Sequence, residues 1–178
     1  MIAVLPAFLL LAAANGAPAP APAAPAAAVT AADLDYRKDG TGYLLVLHRG
    51  QPVVASLNAI IEKERIPGAL ISGIGAVEKA EVAYYDLNAK RYRTTVFEPS
   101  MEVLSLSGNL GTLDGKPIVH PHVVLGGPDF NAHGGHLREA TVSLILEIFI
   151  IPTAEPITRE LSKDFPELRT MKPLRPGS

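Results

Sequence analysis

The chain has 178 residues, of which 48% are apolar and 19% are charged, the balance of an ordinary globular protein. Its formal net charge is −2 and its pI is near 6.2, which argues against the basic face that nucleic-acid-binding proteins usually present. It contains no cysteine, so disulfides, thiolate metal sites and cysteine nucleophiles are excluded.

The first residues predict an export signal. Residues 2–14 (IAVLPAFLLLAAA) form an apolar run that ends in small residues of the A-x-A type and is too short to span a membrane. No Lys or Arg precedes the run, although signal peptides usually carry one there. We interpret residues 1–14 as a signal peptide and expect an exported protein, periplasmic or secreted, without a transmembrane segment in its mature form. Residues 15–32 are almost all Ala and Pro and predict a semi-rigid extended linker.

Residues 34–152 predict one domain with many strands and one main helix. Val53, Leu57, Ile60 and Ile61 recur at helical spacing, so the helix is expected over residues 52–65. The segment Gly73–Val77 is interpreted as a turn, and Asp114-Gly115 is a strong hairpin signal. Strands are predicted at 43–48, 69–74, 79–85, 91–97, 102–106, 120–125 and 141–151.

This order of elements predicts an α+β fold with a mostly antiparallel sheet. Residues 153–178 carry Pro and mixed charge, and we expect them to be a loosely attached tail.

Four of the five histidines lie between residues 120 and 136, which is the most informative chemical feature of the sequence. His120 and His122 are two apart on a predicted strand, so both imidazoles face the same side. A Gly-rich turn then allows the chain to return with His136 beside them. Neutral imidazole suits zinc and similar transition metals, and three histidines leave a fourth position for water or substrate. His133 could replace His136 as third ligand, act as a base, or lie in solvent; we favour solvent.

A metal-activated water needs a nearby general acid or base. The best candidate carboxylates in this sequence are Glu102 and Glu147. Glu147 lies in an otherwise apolar strand, where a carboxylate is costly unless it is paired or belongs to a site. An exposed strand position explains Glu147 equally well, and Glu102 could equally be solvated.

Several motifs, in order, resemble those of the PPC (plants and prokaryotes conserved) domain family, over roughly residues 43–151. They are GIGAV from Gly73, AEVAYYD ending at Asp86, EVLSLSGN from Glu102, DGK from Asp114, HPH from His120 and GGHL from Gly134. The resemblance implies a compact antiparallel sheet with a helix, commonly assembled as a homotrimer. In the bacterial branch of the family the H-x-H and G-G-H-L histidines look like a metal site, which carries over onto His120, His122 and His136.

Plant members join this domain to AT-hooks that contact DNA, and bacterial members are often labelled DNA-binding by that association. This chain contains no Arg-Gly-Arg-Pro AT-hook core. The fold and the three histidines are also similar to acetolactate decarboxylase, a zinc enzyme, but such an analogy assigns no reaction.

Three functional hypotheses follow. The first is an exported metal-binding protein, with zinc or another divalent transition metal, that acts on a small molecule. The second is an oligomeric binding or scaffold module whose metal is structural. The third, DNA binding, conflicts with the acidic pI and the signal peptide. Whether the protein is an enzyme stays open at this stage.

Overall fold

The computed structural model describes residues 29–172, which form nine strands and one α-helix. The predicted signal peptide, residues 15–28 of the predicted linker and the last six residues of the tail lie outside the described residues. The helix is α1 (Val53–Glu64), preceded by a single 3-10 turn (Ala31–Asp33). The strands are β1 (Asp35–Asp39), β2 (Gly42–His48), β3 (Ala69–Asp86), β4 (Arg91–Phe97), β5 (Met101–Leu113), β6 (Lys116–Gly126), β7 (Ala132–Pro152), β8 (Thr158–Leu161) and β9 (Arg169–Lys172).

The strands form one sheet in the order β1-β2-β7-β3-β5-β8-β9, and β4 is added beside β3. All neighbouring strands are antiparallel except β5 and β8, which are parallel. β6 pairs with β5 on one side and with β7 on the other. These pairings close β3, β5, β6 and β7 into a ring. The structure confirms the predicted α+β fold with a mostly antiparallel sheet and one helix. No helix within residues 29–172 is long and apolar enough to cross a membrane.

The two strands predicted at 69–74 and 79–85 are one continuous strand, and the turn interpretation of Gly73–Val77 is wrong. The pairing register of β3 shifts between Gly73 and Gly75 against β5, and between Gly75 and Val77 against β7. Gly75 has a φ of 155°, and a Cβ there would collide with the backbone of Ile145. Glycine is required because a bulge brings two backbones together at this point.

Helix α1 covers one side of the sheet, against β6 and β7. Its apolar positions recur at helical spacing, so one face of the helix is buried while its polar residues stay outside. The core beneath it is aliphatic and closely packed. Its largest fully buried side chains include Leu45, Leu47, Leu57, Ile60, Ile61, Leu106, Leu110, Leu125, Leu146, Ile148 and Ile150.

The first turn of α1 is capped from the sheet. The residue before the helix is Pro52, whose side chain makes no capping hydrogen bond. The carboxylate of Glu139, on β7, instead accepts hydrogen bonds from the backbone N–H groups of Val54 (2.7 Å) and Ala55 (3.1 Å). Its charge also lies at the positive end of the helix dipole. Burial raises the pKa of Glu139, while these N–H donors oppose that rise.

Residues 153–172, which composition suggested were loosely attached, contribute strands β8 and β9. The N–H of Thr112 donates to the carbonyl of Ile157 (2.8 Å), and β8 continues beside the end of β5. Ile157 and Arg159 are both buried, at 9% and 7% exposure. This part of the tail therefore extends the sheet and places a cation inside the molecule.

Glu139→Gln is expected to lower the free energy of unfolding by about 1 kcal/mol, because the amide keeps the shape of the cap and loses the charge that favours the helix N-terminus. Urea unfolding followed by circular dichroism measures the change. Glu147→Gln, which alters an exposed residue of the same strand, is the matched control and should leave the stability unchanged. Equal losses in the two variants would contradict the capping role.

Candidate metal centre

The pairing of β6 with β7 brings the three predicted metal ligands together. His120 and His122 are alternate residues of β6 and share one face of that strand. His122 lies directly opposite His136 of β7 in the pairing register. Pro121 between the two β6 histidines is paired with Gly108 of β5, where a Cβ would collide with the carbonyl of His120. Close backbone approach on both sides of β6 thus sets the positions of the rings.

The distances within this histidine cluster fit a metal ion. One ring nitrogen from each of His120, His122 and His136 lies within 4.8 Å of the others. The Nε2 atoms of His120 and His122 are 3.3 Å apart, and two nitrogens bound to one tetrahedral zinc at about 2.0–2.1 Å lie about 3.3–3.4 Å apart. In the part of the chain that the structure describes, the buried Nδ1 of His136 has no hydrogen-bond partner, although buried polar atoms nearly always have one. The donor set therefore suits a ligand that accepts imidazole lone pairs.

The cluster holds its imidazoles in the neutral form that binds metal. Burial, followed by the charge of Arg159 and the neighbouring His122, lowers the pKa of His120 to about 4. Burial, followed by the neighbouring histidines, lowers the pKa of His136 to about 4. Burial also lowers the pKa of His122. Less competition from protons favours metal binding in mildly acidic solution.

Arg159 of β8 contacts the back of the cluster. Its Nη2 donates to Nδ1 of His120 at 3.0 Å, and also to the side-chain oxygen of Asn109. A guanidinium has no acceptor atom, so Nδ1 of His120 must be unprotonated in this contact and the ring proton of the neutral imidazole is on Nε2. Since Nε2 is the atom that faces His122, metal binding there requires Arg159 to release Nδ1.

The histidine cluster opens into a cavity of about 710 Å³ between the sheet and the tail. The ring of Tyr92 stacks on His136, with centroids 5.4 Å apart and planes at 28°. Glu167 of the β8–β9 connection also lines the cavity, and its carboxylate accepts from the N–H of Tyr92 at 3.2 Å. The remaining walls are mainly aliphatic, with Val54, Ile118, Val119, Leu137, Leu168 and Met171.

The structure does not bring the two predicted carboxylates to the cluster. Glu102 is exposed at the start of β5, and Glu147 is exposed on β7 on the side of the sheet away from α1; neither lines the cavity. His133 is exposed and packs against Phe97, with ring centroids 5.0 Å apart.

The carboxylate that does line the cavity, Glu167, and the buried Arg159 were not predicted. Both belong to the segment whose composition suggested a loose tail. Arg159 follows the apolar Ile157 in a strand-like alternation, which is the one local signal that could have indicated its burial.

Fold and site together define an α+β protein with a three-histidine cluster at the mouth of a cavity. The model of the Plants and Prokaryotes Conserved (PCC) domain, which is also abbreviated PPC, matches residues 34–154. The chain belongs to this family, as its motifs indicated. A comparison with curated proteins gives no match.

Solved structures of the same fold include three informative relatives. A metal-containing protein of Archaeoglobus fulgidus is 35% identical, with a TM-score of 0.69, over 79% of this chain and 98% of that one. A plant- and prokaryote-conserved protein of Pyrococcus horikoshii is 31% identical, with a TM-score of 0.69, over 80% and 96%. A protein of Bacteroides thetaiotaomicron described as a candidate DNA-binding protein is 27% identical, with a TM-score of 0.75, over 78% and 96%.

The metal-free protein is expected to titrate His120 and His136 near pH 4, well below the ordinary imidazole value of about 6.5. The unfolded chain takes up these protons near pH 6.5 and the folded chain only near pH 4. The free energy of unfolding that these two neutral histidines sustain is therefore fully present above pH 6.5 and is lost as the pH falls towards 4. Imidazole NMR shifts and thermal unfolding, both recorded from pH 7.5 to 3.5, measure the two effects. Titration of both rings near 6.5 would contradict the buried, neutral cluster.

Proposed function

We propose that this protein binds one divalent transition metal ion, zinc in the first place, through His120, His122 and His136. The observation that carries the proposal is the spacing of the three ring nitrogens, within 4.8 Å of one another. The Archaeoglobus relative, described as metal-containing, supports it. Zinc is named because an all-imidazole set with one open position is typical of catalytic zinc sites. Nickel, cobalt and iron accept the same ligands.

We propose further that the site acts on a small molecule. Three protein ligands leave one coordination position, and the cluster lines the 710 Å³ cavity, a size that suits a small ligand. A bound zinc ion would supply Lewis-acid chemistry at that position. Within the described residues, Glu167 is the carboxylate that lines the cavity and could exchange a proton with a ligand there.

Export is part of the same proposal and rests on residues 1–14. The apolar run, its small-residue end and the Ala/Pro-rich stretch after it are the pattern of a secreted precursor. DNA binding, suggested by the description of the Bacteroides relative, finds no support in a net charge of −2.

A homotrimer is proposed from the exposed side of the sheet, which we call the outer apolar face. Leu70 and Ile74 of β3 and Phe149 and Ile151 of β7 are 52–60% exposed there. The two strands are neighbours, with Leu70 opposite Ile151, so the four side chains form one patch. Contiguous apolar patches on soluble proteins mark interaction sites, and a second and third copy of this chain are the occupants that the family resemblance implies.

His122→Ala is expected to remove bound metal, because two imidazoles cannot replace a three-ligand set. Inductively coupled plasma mass spectrometry of purified protein should give about one zinc per chain in the wild type and near zero in the variant. His133→Ala is the matched control and should retain the wild-type content, since His133 packs on Phe97 outside the cluster. Equal zinc in His122→Ala and the wild type would contradict the site.

Phe149→Glu is expected to convert the trimer to monomer, because a carboxylate at the centre of an apolar interface loses its hydration without gaining a partner. Light scattering after size-exclusion chromatography measures the mass. Leu161→Glu changes a residue of similar exposure on β8, away from the outer apolar face, and should remain trimeric. A monomeric wild type, or a trimeric Phe149→Glu, would exclude this face as the interface.

A further inference from the structure

Arg159 is a buried cation that no carboxylate of the described residues pairs with. Its residue is 7% exposed, and none of the ion pairs within residues 29–172 includes it. Its three hydrogen-bond acceptors are neutral groups, the carbonyl of Arg169, the side-chain oxygen of Asn109 and Nδ1 of His120. Buried charges are normally paired with an opposite charge, and within the described residues this guanidinium lacks such an anionic partner.

The bonding capacity of Arg159 is also incomplete. Its Nε is buried and has no hydrogen-bond partner among residues 29–172, and Arg159 lines the same cavity as the histidine cluster. Metal binding at Nε2 of His120 would leave a further N–H, on Nη2 of Arg159, without an acceptor. A neutral His120 that binds metal through Nε2 carries its ring proton on Nδ1, which then cannot accept from Nη2. An acceptor with two oxygens would satisfy these donors together.

The charges around the cavity favour an anion. Arg138 and Arg169 line it with Arg159, and among the described residues that line it Glu167 is the one carboxylate. Glu167 is held by the N–H of Tyr92 and forms no ion pair with Arg159. The cavity therefore offers three cations against one anion, next to imidazoles that stay neutral.

The aliphatic lining of the cavity favours an organic anion over an inorganic one. Val54, Ile118, Val119 and Leu137 give the walls a surface that a hydrocarbon skeleton can cover. A carboxylate matches the planar guanidinium with two parallel hydrogen bonds. Because Arg159 contacts His120 and lines the same cavity, a small molecule held at Arg159 lies beside the histidine cluster.

We propose that Arg159 is the anchor for the carboxylate of a small aliphatic acid, which binds in the cavity beside the three histidines. The inference rests on the proposed function, because the acid is the ligand class of that same site. Arg159 lies beyond residues 34–154, the part matched by the family model, so this anchor is supplied by the C-terminal segment.

The test is isothermal titration calorimetry of the full mature chain with butyrate, with its neutral analogue butyramide and with inorganic phosphate. Zinc-loaded wild type is expected to bind butyrate at least about 30-fold more tightly than Arg159→Gln does, the loss typical of a buried charge pair. Arg37→Gln, at an exposed position of β1, is the control and should bind as the wild type does. Arg159→Lys keeps the charge without the fork and should lose about tenfold; it replaces Arg159→Gln if that variant does not fold.

Equal butyrate affinity in the wild type and the Arg159 variants would overturn the proposal, as would butyramide binding as tightly as butyrate. Tighter binding of phosphate than of butyrate would overturn the assignment to a carboxylic acid. The same titrations on zinc-free protein separate the two claims. Butyrate binding that depends on Arg159 in a chain that takes up no zinc would support the anchor and refute the metal site. Zinc uptake without butyrate binding that depends on Arg159 would support the metal site and refute the anchor.

Discussion

The site depends on one pairing, that of β6 with β7. This pairing puts His122 opposite His136, and it also closes β3, β5, β6 and β7 into a ring. A Cβ at Gly134 would collide with the backbone of β6, and one at Gly135 with the backbone of β3. Glycine at both positions therefore allows the ring to close beside the histidines. A shift of one residue in the register would turn the histidines to opposite faces of the sheet. The geometry of the cluster is therefore a consequence of the fold and not of the loops around it.

The C-terminal segment completes the site whose histidines lie on the ring of strands. β8 lies beside the end of β5, and it carries Arg159 to the back of His120 while Glu167 reaches the N–H of Tyr92. The sheet supplies neutral nitrogen ligands, whereas the segment supplies the charges that line the cavity. A fold alone does not assign a function, and in this chain a short terminal segment sets the charge beside the histidine cluster.

The sequence predicted the parts of this arrangement that depend on local pattern. The helix was expected at 52–65 and is found at Val53–Glu64, because its apolar spacing and its flanking Pro and Gly act locally. The histidine cluster followed from the two-residue period of a strand and a Gly-rich return. The bulge at Gly75 depends on partners far along the chain, so no local signal could indicate it. The burial of Arg159 also depends on distant partners, and its one local signal is the alternation with Ile157. The apolar strand around Glu147 suggested either a functional carboxylate or an exposed position, and the structure places Glu147 at an exposed position.

The most direct test of the central claim is X-ray absorption spectroscopy at the zinc edge of the metal-loaded protein. We expect three imidazole nitrogens at about 2.0–2.1 Å, with the multiple-scattering signature of histidine, and one oxygen ligand at a similar distance. A shell composed mainly of oxygen, or one with fewer than three imidazoles, would contradict a centre built from His120, His122 and His136.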